Sequence, residues 1–281
     1  DSAGRGGTGA MANCVAIGSS AMTSTVSNAQ TGTVAVGYYA LNALTSGAGN
    51  TAVGYSSLRK ITTGGYNTCL GYNTLGDTDG ANGVTGRYNV HVGYNSGGGN
   101  HGNGLHQFNT VVGAESMTGV CDSAQYNTFM GYAAGQATTT GDSNVAIGSG
   151  ALSALTTGSS NTIVGKEAGD AITIGGLNVA IGQGALSAET IGDRTVAIGG
   201  SALAKQVMDS DNEETKNVAV GLNAGAENVT GKENTYLGHH AGYNATTSEN
   251  TCVGSHAGDV ITTGYQNTII GADADTGAAD A

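Results

Sequence analysis

A short apolar stretch that ends in glycine recurs along the chain at a nearly constant interval. It reads NTAVG at residues 50–54, NVAIG at 144–148 and 178–182, and NTIIG at 267–271. We number each copy from its closing glycine, position 0, which falls at residues 18, 37, 54, 71, 93, 113, 131, 148, 165, 182, 199, 221, 238, 254 and 271. Eight of the fourteen intervals are 17 residues long, and this regularity predicts one repeated structural unit per copy.

Each position of the copy has its own chemistry. Position −1 is always Ile, Val, Leu or Met, position −3 is always Val or Thr, and position −4 is Asn in twelve of the fifteen copies. Positions −4 to −1 therefore predict a short strand rich in β-branched residues. The residues that we expect to define this structural repeat include Asn50, Gly54, Asn67, Gly71, Asn144, Gly148, Asn161, Gly165, Asn178, Gly182, Asn267 and Gly271.

The predicted strand is apolar on both faces. Side chains alternate along a strand, so positions −3 and −1 share one face and position −2 lies on the other. Position −2 is Ala in seven copies and is never Asp, Glu, Lys or Arg, which is typical of a strand buried on both sides. We expect the −3 and −1 side chains to fill a thin core inside the coil, and the −2 side chains to face neighbouring subunits.

These patterns predict an all-β fold, a repetitive β-solenoid or β-roll of about fifteen mostly 17-residue coils, packed or intertwined as a homotrimer. Fifteen coils at about 4.8 Å each would extend over roughly 70 Å. Glycine at position 0 fits a sharp turn that needs positive φ. The Asn residues at position −4 are expected to stack as a ladder that also bonds the turn backbone.

The repeat region is expected to run from residue 13 to 275, after a lead-in at 1–12 and before a tail at 276–281. Inserts fall near residues 77–87, 97–107 and 205–216. Because the copies continue almost to both ends with no polar capping coil, we interpret the sequence as an excerpt of a longer fibre.

Composition narrows the function classes. The chain has 50 Gly, no Pro and a net charge of −12. The absent Pro fits coils that all donate backbone N–H groups to the next. The negative charge makes nucleic acid an unfavourable partner, and no apolar run is long enough for insertion into a membrane. Four widely spaced cysteines indicate free buried thiols, and no motif calls for a cofactor.

The NxVAIGxxA pattern resembles the head repeats of trimeric autotransporter adhesins, which form a left-handed parallel β-roll. Copies such as NVAIGSGALSALTTGSS at 144–160 and NTIVGKEAGDAITIGG at 161–176 are even more similar to repeats in bacteriophage tail fibres. The adhesin heads have coils of about 14 residues, so the 17-residue interval departs from them. The resemblance implies a homotrimeric, non-enzymatic rod, located on a virion or extracellular surface, that takes part in attachment.

Tyrosines at position +1 form the clearest candidate binding surface, a predicted aromatic ladder along one edge. Such a stripe could stack on sugar rings of a cell-surface glycan, although a ladder that only covers the glycine turn is the more common role. The five residues are Tyr38, Tyr55, Tyr72, Tyr94 and Tyr132.

The histidines supply the remaining candidates. His101 and His106 lie in the glycine-rich insert at 97–107, where a protruding loop could bind a receptor. His91 occupies position −2, so three copies could meet a metal ion on a trimer axis. His240 and His256 both occupy position +2 of consecutive coils and are expected to stack. Buried or solvated imidazoles without a metal are the simpler interpretation of all three.

The most favoured function is therefore a structural and adhesive segment of a phage tail fibre that displays receptor-binding surfaces to a host glycan or protein. The head of a bacterial trimeric adhesin is the alternative. A fibre-borne glycan-degrading enzyme is less favoured and would need a pair of acids in a groove between subunits. An ice-binding solenoid would need an exposed Thr array, whereas we expect most Thr side chains to point inward or lie in turns.

Overall fold

The computed structural model describes residues 3–4, 11–24, 30–76, 86–99, 106–208, 210 and 214–275. The chain forms two compact units, residues 1–143 and 144–281, and each unit is described by itself. The described residues contain strands and turns but no helix. The solenoid class predicted from the repeat is therefore confirmed.

Each coil contributes one three-residue strand at positions −3 to −1. The first unit contains β1 (Met11–Ala12), β2 (Val15–Ile17), β3 (Gln30–Thr31), β4 (Val34–Val36), β5 (Thr51–Val53), β6 (Thr68–Leu70), β7 (Val90–Val92), β8 (Thr110–Val112) and β9 (Thr128–Met130). The second contains β10 (Val145–Ile147), β11 (Thr162–Val164), β12 (Val179–Ile181), β13 (Val196–Ile198), β14 (Val218–Val220), β15 (Thr235–Leu237), β16 (Thr251–Val253) and β17 (Thr268–Ile270).

Strands of consecutive coils pair in parallel and in register. In the first unit β2 and β4–β9 follow one another in chain order, while β1 pairs separately with β3. In the second unit the order runs from β10 to β17. Val145 thus lies opposite Thr162, one repeat later. The register places equivalent positions of every coil in columns along each unit.

Glycine at position 0 is required by both conformation and space. Its φ lies between 120° and 147° in all fifteen copies, a region that side chains disfavour. A Cβ at Gly148 would also collide with the carbonyl oxygen of Gly165 in the next coil. The predicted glycine turn is confirmed.

The predicted asparagine ladder is also confirmed. The Asn50 Oδ1 atom accepts hydrogen bonds from the Asn67 backbone N (3.0 Å) and Nδ2 (3.1 Å). Asn67 Nδ2 also donates a second hydrogen bond, of 2.9 Å, to the turn carbonyl oxygen of Gly86. In the second unit, the backbone N and Nδ2 of Asn161 donate in the same way to Asn144 Oδ1. Because these amides are buried, each rung satisfies backbone groups that would otherwise be costly to bury.

The assignment of the two strand faces was wrong. The −2 side chains lie inside the coil: Ala52, Phe129 and Tyr236 are fully buried. The −3 and −1 side chains lie on the outer surface, where Leu70 is 48% and Leu237 47% exposed. The narrow coil has room for a small −2 residue together with a side chain from position +4, and the branched −1 residues are left outside.

Positions −2 and +4 share the volume of the core. Most coils with Ala at −2 have Leu or Met at +4, as in the pair Ala146 and Leu152, both fully buried. Where +4 is Gly the −2 residue is usually large, and a Cβ at Gly135 would collide with the ring of Phe129. This exchange explains the two types of residue found at position +4.

Candidate functional site

The first unit has a ladder of stacked tyrosines along one edge. The ring centroids of Tyr38 and Tyr55 are 5.3 Å apart, those of Tyr55 and Tyr72 4.9 Å, and those of Tyr72 and Tyr94 5.5 Å. Tyr132 does not join these four, because Ala114 occupies position +1 of the intervening coil. The structure therefore brings together four of the five predicted tyrosines.

A second aromatic ladder was missed by the sequence analysis. It lies at position −5 and consists of Tyr66, Tyr88, Phe108 and Tyr126, with centroid distances of 5.0–5.2 Å and rings within 4° of parallel. All four side chains are exposed. Their constant offset from the glycine in four consecutive copies was the signal that could have revealed them.

Stacking limits what these ladders can contact. Parallel rings about 5 Å apart are offset-stacked, so the faces of the inner rings cover one another. Ring edges and phenolic oxygens are the parts that reach solvent. The hypothesis that sugars stack on the inner Tyr faces of the +1 ladder therefore has little support, and contacts to the phenol edges fit the geometry better.

A groove of about 400 Å³ lies beside the +1 ladder, across three successive coils of the first unit. It is lined by Tyr55, Ser56, Arg59, Tyr72, Asn73, Tyr94 and Asn95. Its volume falls within the usual range for small-ligand sites. Hydroxyl, amide and guanidinium groups make up this lining, so the groove suits a polar ligand.

The amide side chains beside the groove are fixed by hydrogen bonds. Asn73 Nδ2 donates to Asn95 Oδ1 at 3.0 Å, and Asn95 Nδ2 donates to Glu115 Oε2 at 3.0 Å. All three residues occupy position +2. Together they form a short row of oriented polar groups parallel to the tyrosines.

The insert at 97–107 does not present His106 as a loop residue. His106 is buried, and its carbonyl oxygen accepts a 2.9 Å bond from Asn89 Nδ2, as Gly86 does for Asn67 in the preceding coil. His106 is thus part of the coil, and its candidacy as a receptor contact is wrong. His101 lies outside the described residues, as do most of the insert at 77–87 and residues 209 and 211–213 of the insert at 205–216.

His91 lies inside the coil and not on a face that another chain could reach. Its Nε2 atom is 3.4 Å from Nε2 of His106, and both rings are buried. The trimer-axis metal site suggested for His91 is incompatible with this position, because the −2 side chains point inward.

His240 and His256 stack as expected, with ring centroids 5.1 Å apart. His239 joins them at 4.2 Å from His240 and 5.0 Å from His256. Burial, followed by the two neighbouring imidazoles, lowers the pKa of His240. Within the described ranges, no three His, Cys, Asp or Glu side chains are arranged to hold a metal ion.

The four cysteines are free, as predicted, and all but Cys14 are buried. Burial raises the pKa of Cys121 to about 12 and that of Cys252 to about 11. These thiols are therefore protonated near neutral pH and act as small apolar core residues.

The outer face of the strands forms a regular apolar surface in each unit. It combines the −3 column of Val and Thr with the −1 column of aliphatic residues, and neither column contains a charged residue. Ile17, Leu70 and Met130 are exposed there in the first unit, and Ile147, Ile181 and Ile270 in the second. Exposed apolar surfaces of this regularity mark contact sites.

No protein-family model, curated protein or solved structure matches this chain. The described residues include no helix long and apolar enough to span a membrane. The geometry of the ladders, the groove and the outer face is therefore the basis for the function proposed next.

Proposed function

We propose that the chain is a structural and adhesive segment of a homotrimeric fibre, similar to a bacteriophage tail fibre, that displays surfaces for binding a host receptor. The observation that carries this proposal is the aliphatic column at position −1, which repeats in every coil of both units and is exposed in seven of the fifteen coils and half-buried in the others. In this proposal the segment acts on a virion or extracellular surface, works without a cofactor, and is not an enzyme.

The occupant of the outer face is proposed to be further copies of the same chain. Burial of apolar surface contributes roughly 25 cal/mol per Å², so covering a face of this length would favour association strongly. Two copies present the same columns at the same spacing, and sheets readily pack face to face. The net charge of −12 does not oppose this contact directly, because the two columns are uncharged.

Attachment is proposed to take place at the edges of the strand face. The aromatic ladders and the polar groove lie on regularly bonded coils, and rigid scaffolds commonly display binding groups in this way. The receptor in this proposal is a glycan or protein of the host surface. A bacterial adhesin head would have the same physical design, and a fibre-borne enzyme acting on glycans is the less favoured alternative.

An ice-binding solenoid gains support from one observation. Eight of the fifteen −3 residues are Thr, and they lie on the outer face, so the reason given above for setting this function aside was wrong. The bulky Ile, Leu and Met side chains at −1 make the face less uniform than a Thr array. Thermal hysteresis of the purified chain would favour ice binding, and its absence would favour the fibre.

The fibre proposal is tested by placing charge on the outer face. We expect the double variant Ile147→Lys/Ile181→Lys to run as a single chain in light scattering, because buried unpaired ammonium groups are very costly. Thr157→Lys, in an exposed turn away from the strands, is the matched control and should keep the assembly of the unmodified chain. Retention of the same assembly by the double variant would contradict the proposal.

A further inference from the structure

The groove beside Tyr55, Tyr72 and Tyr94 contains a buried hydroxyl that its surroundings leave unsatisfied. Ser56 is 1% exposed, and its Oγ atom has no hydrogen-bond partner among the described residues. The Asn residues that follow it at position +2 do form side-chain hydrogen bonds. Because an unpaired buried hydroxyl is costly, a polar ligand in the groove toward which the Ser56 side chain rotates would relieve this cost.

Arg59 provides the groove with a positive charge that the described residues do not neutralise. No carboxylate of the described chain lies within ion-pair distance of its guanidinium, whereas Lys166, Lys205 and Lys216 each contact a Glu. The Tyr39 ring, 5.8 Å from the guanidinium carbon, holds the side chain by a cation–π contact. An uncompensated Arg in a chain of net charge −12 favours an anionic ligand.

The remaining groups of the groove suit the hydroxyls of a sugar. Each of the three coils that line the groove contributes one phenolic oxygen of the ladder, and the Asn73 and Asn95 amides form a fixed polar row beside them. Hydroxyl and amide groups of this kind both donate and accept hydrogen bonds. The volume of about 400 Å³ accommodates a small saccharide unit rather than a large cofactor.

We propose that this groove binds a carboxylate-bearing sugar of a surface glycan, an inference that rests on the attachment role proposed above. Arg59 pairs the carboxylate, Asn73, Asn95 and the Tyr edges bind the hydroxyls, and the Ser56 hydroxyl joins them by rotating from its buried position toward the ligand. Arginine matches a carboxylate with two parallel hydrogen bonds. Arg59 is the one cation among the lining residues, so its planar pair of N–H groups matches a planar carboxylate, whereas the third oxygen of a sulfate or phosphate would have no cationic partner there.

The test measures binding of defined saccharides to the full chain by isothermal titration calorimetry. The probes are trigalacturonate, its methyl ester, sialyllactose and a sulfated disaccharide. We expect at least one of the two carboxylated probes to bind about tenfold or more tightly than the uncharged ester and the sulfated probe. Equal binding of the ester and the acid, preference for the sulfated probe, or no binding by either carboxylated probe would overturn the inference.

Variants locate the site. Arg59→Gln should remove the preference for the acid over the ester, and Ser56→Ala should weaken the binding of the acid and of the ester. Arg87→Gln, outside the groove in the same unit, is the control and should leave the binding of the acid and of the ester unchanged.

Light scattering of each variant separates the groove proposal from the fibre proposal. If the assembly is intact but acid preference survives Arg59→Gln, only the groove inference fails. If the unmodified chain is a monomer, the fibre proposal fails whatever the sugars do.

Discussion

At the scale of single residues, the coil contains two positions with positive φ that differ in whether they accept a side chain. Position 0 combines an unusual φ with close backbone contact to the next coil. Position +2 has φ near that of a left-handed turn and holds Ser, Tyr, Asn, Glu, Ala, Gly, His or Asp in different coils. Glycine is therefore required at position 0, whereas position +2, two residues later, also accepts other residues.

Replacing Gly148 with Ala should destabilise the second unit by at least ~2 kcal/mol. The substitution adds both φ strain and a clash with the Gly165 carbonyl, and strain of this kind alone costs about 1–3 kcal/mol. Gly150→Ala, at φ 71° with only ordinary contacts around its Cβ, is the matched control. Urea unfolding of the two variants measures the difference, and equal losses would contradict this explanation of position 0.

The sequence was sufficient for the glycine turn and the Asn ladder because each depends on one residue type at one offset. It was not sufficient for His106, whose buried coil position is set by the register between coils and not by local glycine content. The −5 ladder was missed because that position varies widely elsewhere, with Asn, Gly, Ser, Leu, Arg, Lys, Glu or Gln in other copies. Only the run of four aromatic residues distinguishes it.

At the scale of the coil, core volume is shared between positions −2 and +4. Gly135→Leu alone should destabilise the first unit by ~1–3 kcal/mol through overpacking against Phe129. The backbone itself permits Leu, since Leu152 has φ 51° at the equivalent site and Gly135 has φ 58°. The double variant Phe129→Ala/Gly135→Leu recreates the common Ala–Leu coil and should recover most of the loss.

A double-mutant cycle measured by denaturant unfolding checks this exchange. Phe129→Ala alone should also be destabilising, because it leaves a cavity. A favourable coupling between the two substitutions supports shared volume. Losses that simply add would show that the two positions are independent.

The gap in the +1 ladder gives another prediction at this scale. Ala114 lies between Tyr94 and Tyr132 in consecutive coils, so Ala114→Tyr should continue the stack and stabilise the first unit by ~1–2 kcal/mol. Ala114→Ser, which adds no ring, is the control. Thermal unfolding measures both, and a Tyr variant no more stable than the Ser variant would show that stacking contributes little to stability.

At the scale of the whole molecule, the central question is what covers the outer face of the strands. Both strand faces are apolar, as the sequence indicated. The sequence pattern alone did not distinguish which of the two faces lies inside the coil. The decision depends on how much volume a 17-residue coil encloses, a property of the closed backbone. Although the inner and outer faces are the reverse of those predicted, an apolar face still needs a partner. The proposed contact is now formed by the −3 and −1 columns and not by the −2 column.

The mass of the unmodified chain in solution tests the account most directly. Each chain has a mass of 27.5 kDa, and we predict that light scattering at micromolar concentration gives the mass of three chains. The assembly should persist at high salt, because apolar burial and not charge holds it together. A stable single chain at all concentrations, with its aliphatic columns exposed to water, would contradict the proposed fibre.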